Sequence, residues 1–309
     1  MSIGSSARPG FIGWFSKQGI ARTTIEKLEV QVRLYSIFYD QMIIEWKIPS
    51  SWGSCSFNIY RADTQDGVFE KINSTPLFSN FFRDTSTHDV SKFRSSYYKV
   101  EVTLPIKRAV SSVAVTYQNE RSSWVEIRAR EINRRELFLL RKFVGIPSLL
   151  FRRKTFGKRC TNCWDENVEK VVKDRCPVCL GTSFEGGYFE GIDILAQYEP
   201  TPNQSQLTAG GVYEPNTIPA WTIAYPEMHV FDMVLRIPDW RMYRVEALQT
   251  TELQTVPVRQ LLTLNEIDKE SVEFRLALQA VPDHLKPRVP LNLERDHGAP
   301  GYQSGYIRE

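Results

Sequence analysis

Four of the five cysteines form two Cys-x-x-Cys pairs, Cys160/Cys163 and Cys176/Cys179, with 12 residues between them. A Cys-x-x-Cys turn holds two sulfurs about one metal diameter apart and aims backbone N–H groups at them. Two such turns face to face make a tetrahedral four-sulfur cage, the geometry of structural zinc. Two disulfides or free thiols are the competing readings; the spacing favours a metal, with zinc the expected cofactor. Four protein ligands leave no open coordination position, so the cage is expected to be a staple and not a hydrolytic centre. Cys55 lies alone in an alternating stretch and is expected to be a small buried or half-buried residue.

No other constellation offers chemistry. His88, His229, His284 and His297 are scattered, and Asp63, Asp66 and Asp239 sit in turn contexts. There is no P-loop, dinucleotide fingerprint, G-x-S-x-G or H-E-x-x-H. The chain is therefore expected not to be an enzyme. Basic residues are concentrated around the cage. Between Arg141 and Arg175 ten Lys or Arg face four acids, leaving +6. Arg152, Arg153, Lys154, Lys158 and Arg159 are the candidates for contact with nucleic-acid phosphates or an acidic surface. The plainer reading is local: four thiolates on one divalent ion leave a charge of −2 to be offset.

Composition sets the frame. The chain has 309 residues, 42% hydrophobic and 24% charged, as in folded multidomain proteins. A net charge of +3 provides no global basic field. Cysteine usage fits a reducing compartment. The first residues lack the continuous apolar region of a signal peptide, and no apolar run is long enough to span a membrane. No repeat of 20–50 residues is present.

The elements that must position the cage follow from periodicity. Residues 1–27 form a Gly/Ser-rich N-terminal arm with an apolar island at Phe11, Ile12, Trp14 and Phe15, to pack on its own domain or on a neighbouring subunit. Residues 28–118 alternate with period two in short runs broken by turn signals, which predicts an antiparallel sandwich. Ile44 and Trp46 should share one face, with Tyr98 and Val100 opposite. Over 119–147 the period becomes helical. Ser123 and Glu126 form a capping box, and Gly145 and Pro147 are the stop. About 22 residues would span ~33 Å, enough for a strut between domains. Its apolar stripe is expected at Trp124, Ile127, Ile132, Leu139 and Phe143. The zinc ribbon occupies 148–187. Residues 188–280 read as a small β-barrel, with AWTIAY, MHVFDMVLRI, MYRVEAL, VPVRQLLTLNEI and VEFRLAL as strands and 199–220 as a long loop. Residues 281–309 read as a tail. The expected class is thus mainly β and multidomain: sandwich, long α-helix, four-Cys ribbon, small barrel.

Three segments resemble known families. Trp46, Tyr60 and Tyr97-Tyr98-Lys99-Val100 are placed as in a fibronectin type III domain. From Met228 to Leu264, Asp232-Met233-Val234, a Pro-Asp turn, Tyr243-Arg244-Val245-Glu246-Ala247 and Arg259-Gln260-Leu261-Leu262-Thr263-Leu264 are similar to the small β-barrel of head-closure proteins in tailed-bacteriophage necks. Residues 135–145 followed by the cage and Gly186-Gly187-Tyr188-Phe189 resemble neck or connector virion proteins that carry a zinc ribbon. The resemblance implies a structural virion protein at the head–tail junction, assembled in the host cytoplasm. Its partners would be copies of itself in a ring, portal or adaptor and tail proteins, and packaged DNA passing through, with no membrane. The alternative is a zinc-ribbon nucleic-acid-binding protein with β accessory domains.

Overall fold

The computed structural model describes residues 30–35, 41–86, 96–104, 108–110, 114–115, 123–165, 168, 170–172, 176–199, 206–208, 211–213, 217–282 and 285. The N-terminal arm, most of the C-terminal tail, His88, His284, His297 and the side chains of the capping box lie outside them. The fold is mainly β. No described helix is long and apolar enough to cross a membrane.

The described residues between Val30 and Val115 contribute strands to two antiparallel sheets. β1 (Gln31–Tyr35), β2 (Met42–Lys47) and β5 (Phe81–Asp84) make one, in the order β1-β2-β5. In the other, β3 (Ser56–Ala62) lies between β4 (Glu70–Lys71) and β6 (Tyr97–Thr103), and β6 also pairs with β7 (Arg108–Val110) and β8 (Ala114–Val115). Alternation does the sorting: along β6, Tyr98, Val100 and Val102 are buried and their neighbours half-buried. Met42, Ile44 and Trp46 meet Phe57, Ile59, Tyr98 and Val100 in one core, as their spacing predicts, with the Trp46 and Phe57 rings 5.0 Å apart. Cys55 is buried in the same core. β2 breaks the alternation because both its faces are covered. Ile43, on its other face, joins the core of the barrel.

The helical stretch differs from expectation in length and orientation. α1 (Ser123–Leu139) is 17 residues long, and Leu140–Val144 follow as a π-type turn. The Gly145 N–H reaches back to the Leu140 carbonyl at 2.9 Å. A Cβ on Gly145 would lie 2.3 Å from that oxygen, which explains the glycine. The helix is not a free strut. It lies on the barrel, with Leu137 in the barrel core and Glu136 paired with Arg259. Its buried stripe is Val125, Ala129, Asn133, Leu137 and Leu140, whereas Trp124, Ile127, Leu139 and Phe143 face solvent. Both stripes have helical spacing, so periodicity alone could not choose between them.

The closed barrel has the order β12-β15-β18-β17-β16-β9. Its strands are β9 (Ile146–Phe151), β12 (Ile192–Tyr198), β15 (Thr217–Ile223), β16 (Met233–Arg236), β17 (Arg241–Leu253) and β18 (Val256–Ile267). The first strand therefore comes from before the ribbon. β9 pairs with both β12 and β16, and without it the barrel would stay open. The ribbon is an insertion between barrel strands and not a unit preceding the barrel. It carries a small hairpin of β10 (Trp164–Asp165) and β11 (Lys170–Val171). Within the expected long loop, β13 (Gln206–Thr208) pairs with β14 (Gly211–Tyr213).

VEFRLAL, expected as a strand, is helix α2 (Val272–Gln279). The Ser271 hydroxyl caps it by accepting the Phe274 N–H at 3.1 Å. Phe274, Ala277, Val281 and Leu285 are buried together against β9, β16 and β17, so the start of the expected tail belongs to the barrel core. The spacing of three to four residues is helical; the alternation of Val272, Phe274 and Leu276 with Glu273 and Arg275 also fits a period of two and concealed it.

Candidate metal centre

The ribbon springs from the end of β9 and returns to the start of β12. At its root the Phe156 and Phe189 rings lie 4.9 Å apart in a tilted contact, and Phe156 meets Phe57 edge-on at 5.5 Å. The root is thus built into the core of the sandwich. Isolated bridges pair Arg153 with Tyr188 and Arg159 with Phe184 and close the stem. Beyond the stem, the buried cluster among the described residues consists of Cys160, Cys163, Cys176 and Cys179. Val168 and Val172 nearby are exposed. Such a segment has too little apolar surface to offset its chain entropy unless something joins the thiols.

All four sulfurs lie within 4.8 Å of one another and are buried, close enough to hold a metal ion. Cys160 Sγ stands 3.7 Å from Cys176 Sγ, and Cys163 Sγ 3.3 Å from Cys179 Sγ. Thiolates bound to one zinc ion at ~2.3 Å stand about 3.8 Å apart, so small adjustments seat the ion. Each Cys-x-x-Cys pair is set in a turn. The Trp164 N–H donates to the Cys160 carbonyl at 3.0 Å and the Leu180 N–H to that of Cys176 at 2.9 Å. Gly187 packs on the second turn with φ +66°, where a Cβ would stand 3.1 Å from the Cys179 carbonyl oxygen.

Electrostatics at the thiols are uneven. Burial pushes Cys176 up, but N–H groups of Val178 and Cys179, the Cys160 thiol and the Asn162 amide bring it down to about 6. The Asn162 Nδ2 lies 3.5 Å from Cys176 Sγ. Burial raises Cys160 and Cys163. One sulfur is ready as a thiolate; the ion must displace protons from others. The Asn162 contact was not anticipated from sequence, although an amide between two cysteines of a knuckle is a usable signal.

The candidate basic residues do not form a common face. Arg152 is buried and pairs with Glu45 of β2 at 3.3 Å, and its Nη2 donates to Asn80 Oδ1 at 2.8 Å. That pair turns it inward and away from any phosphate. The Arg153 backbone N–H donates to Asp232 Oδ1 at 2.9 Å, and its guanidinium lies 5.5 Å from the Phe231 ring. Lys154 Nζ donates to the Glu185 carbonyl at 2.6 Å, and burial lowers its pKa. Lys158 pairs with Glu185 at 3.0 Å and keeps most of its side chain in solvent. Arg159 lies over Trp164 and Phe184, 4.0 and 4.5 Å from their ring centres. The half-buried Trp164 ring is thus already met by a cation of its own chain.

Sequence reasoning also missed Asp232. It is buried, accepts N–H groups from Arg153 and from His229 (2.7 Å), and so ties the ribbon stem to the loop before β16. The sequence matches no protein-family model, and no curated protein is similar to it.

Proposed function

We propose that this protein is a structural, ring-forming component of a bacteriophage neck, stapled by zinc in the ribbon. The observation that carries the reading is the closed barrel. The segment 228–264, similar to head-closure proteins, contributes β16, β17 and β18 to it. The two-sheet domain, with three strands facing five, supports the likeness to a fibronectin type III module. Both are packed into a single scaffold, an arrangement suited to bearing contacts between copies. Soft thiolate donors in a tetrahedral set favour zinc, with an iron site the main chemical competitor. When bound, the ion supplies cross-linking and no reactive position.

The nucleic-acid reading has less support, because all five of its candidate cations make contacts within the chain and Lys158 alone of the five is exposed. Native mass spectrometry and cryo-electron microscopy of the assembled protein test the proposal. A closed ring of defined copy number, stable over a range of salt, is expected. A monomer that binds DNA with a steep salt dependence would overturn it.

A further inference from the structure

The outer face of α1 is the largest anomaly on the described surface. Trp124 is 59% exposed, Ile127 62%, Phe138 55% and Phe143 73%, with Leu139 and Val144 also exposed. Isolated exposed apolar residues are ordinary; a row of large ones along one helix marks a contact site. The row falls into two parts. Trp124 and Ile127 form one, with the Arg128 guanidinium 5.6 Å from the Trp124 ring centre. Phe138 and Phe143, edge to face at 6.0 Å, form the other with Leu139. Trp124 and Phe138 are separated by ~21 Å along the helix axis.

Between the two parts lies a charge cluster. Arg134 donates to both oxygens of Glu131 at 3.0 Å, and Arg135 donates to the same carboxylate at 2.7 Å. One carboxylate serves two guanidinium groups. Along the described side chains of this face Arg128, Arg134, Arg135, Arg141 and Lys142 are exposed, and Glu131 is the one acid set among them.

We propose that this face docks an acidic amphipathic helix of a partner protein. Its apolar residues would cover Trp124/Ile127 and Phe138/Phe143, and a carboxylate between them would meet Arg134 and Arg135. The charge decides the occupant. A second copy laid α1 against α1 would oppose like charges along the whole contact. Nucleic acid would answer the cations but offers no apolar cover for four large side chains. A bilayer would have to accommodate the Glu131–Arg134–Arg135 cluster at the level of the inserted rings. This inference is independent of the neck proposal.

The test uses the full chain, with fluorescence anisotropy against a labelled helical peptide carrying Leu on one face and Glu on the other. The same peptide with Lys for Glu, a short DNA duplex and phosphatidylcholine–phosphatidylserine vesicles are run in parallel. The acidic peptide should bind, and Phe138→Ser should weaken it by at least about tenfold. Arg134→Glu/Arg135→Glu should lose the acidic peptide and gain the Lys peptide, a swap that misfolding could not produce. Metal content and circular dichroism verify each variant. Failure of the acidic peptide to bind, binding indifferent to these substitutions, or preferential binding of DNA or vesicles would overturn the proposal. So would self-association in sedimentation that Phe138→Ser abolishes.

Discussion

Arg152 of the ribbon stem and Glu45 of the sandwich form a buried ion pair, Nη1 to Oε1 at 3.3 Å, across the joint between the two halves of the molecule. Around it Tyr35 stacks on Tyr225 at 3.8 Å and Arg83 donates to the Asp193 carbonyl at 3.0 Å. Taking two charges out of water is costly, and removing one partner leaves the other uncompensated. Arg152→Met should therefore cost about 3–5 kcal/mol. Adding Glu45→Gln to it should restore much of the loss. Urea denaturation of the single and double variants measures both; equal stability of the two would show that the charges are not coupled.

The same pair predicts a pH dependence. Burial raises the Glu45 carboxyl above its ordinary value of 4.5, and Arg152 only partly opposes this. The folded state then holds a proton that the unfolded chain has released. From about pH 4.5 upward, Glu45 should subtract from stability until its folded-state pKa is passed, and then level off. Below that window its effect disappears. The melting-temperature difference between Glu45→Gln and the native protein should accordingly grow with pH across the window and then become constant. A difference that shrinks with rising pH would contradict the sign.

Cys176→Ser should abolish stoichiometric metal, read by plasma mass spectrometry. Because the ribbon is an insertion, β9 and β12 keep their pairing and the barrel should survive, with a β-rich circular dichroism spectrum. Proteolytic cleavage should appear between Lys158 and Glu185. Loss of the whole fold would mean that the stem cannot close without the ion.

Phe156→Ala tests the tie between ribbon stem and sandwich. The ring is buried between Phe57 and Phe189, and its removal should cost about 3–5 kcal/mol. Chelation should then lower the melting temperature less in this variant than in the native chain, since the stem no longer relays metal binding to the sandwich. An unchanged response to chelator would separate the two modules energetically.

Gly145→Ala should destabilise by about 1–3 kcal/mol through a clash with the Leu140 carbonyl and not through φ. A melting temperature equal to that of the native chain would show that the π-type turn can relax.

The cysteine spacing, the alternation in β3 and β6, and the helical stop at Gly145 were all legible in the sequence. Each is a local rule: turn geometry places two sulfurs, and a period of two places Ile44 and Trp46 on one side. What a second, distant element covers is not local. Ile43 and Glu45 look like the outward face of an edge sheet until Arg152 and the barrel core close over them. The two apolar stripes of α1 are equivalent in period, and only the docking of Val125, Ala129 and Leu137 on the barrel decides which one is left in water. The sequential order ribbon-then-barrel conceals that β9 closes the barrel, because antiparallel partners can be separated by any insertion whose ends lie close together. The four-sulfur cage was determined by sequence; the inward turn of Arg152 beside it was decided by tertiary structure, since burying a cation requires a carboxylate contributed from more than a hundred residues away.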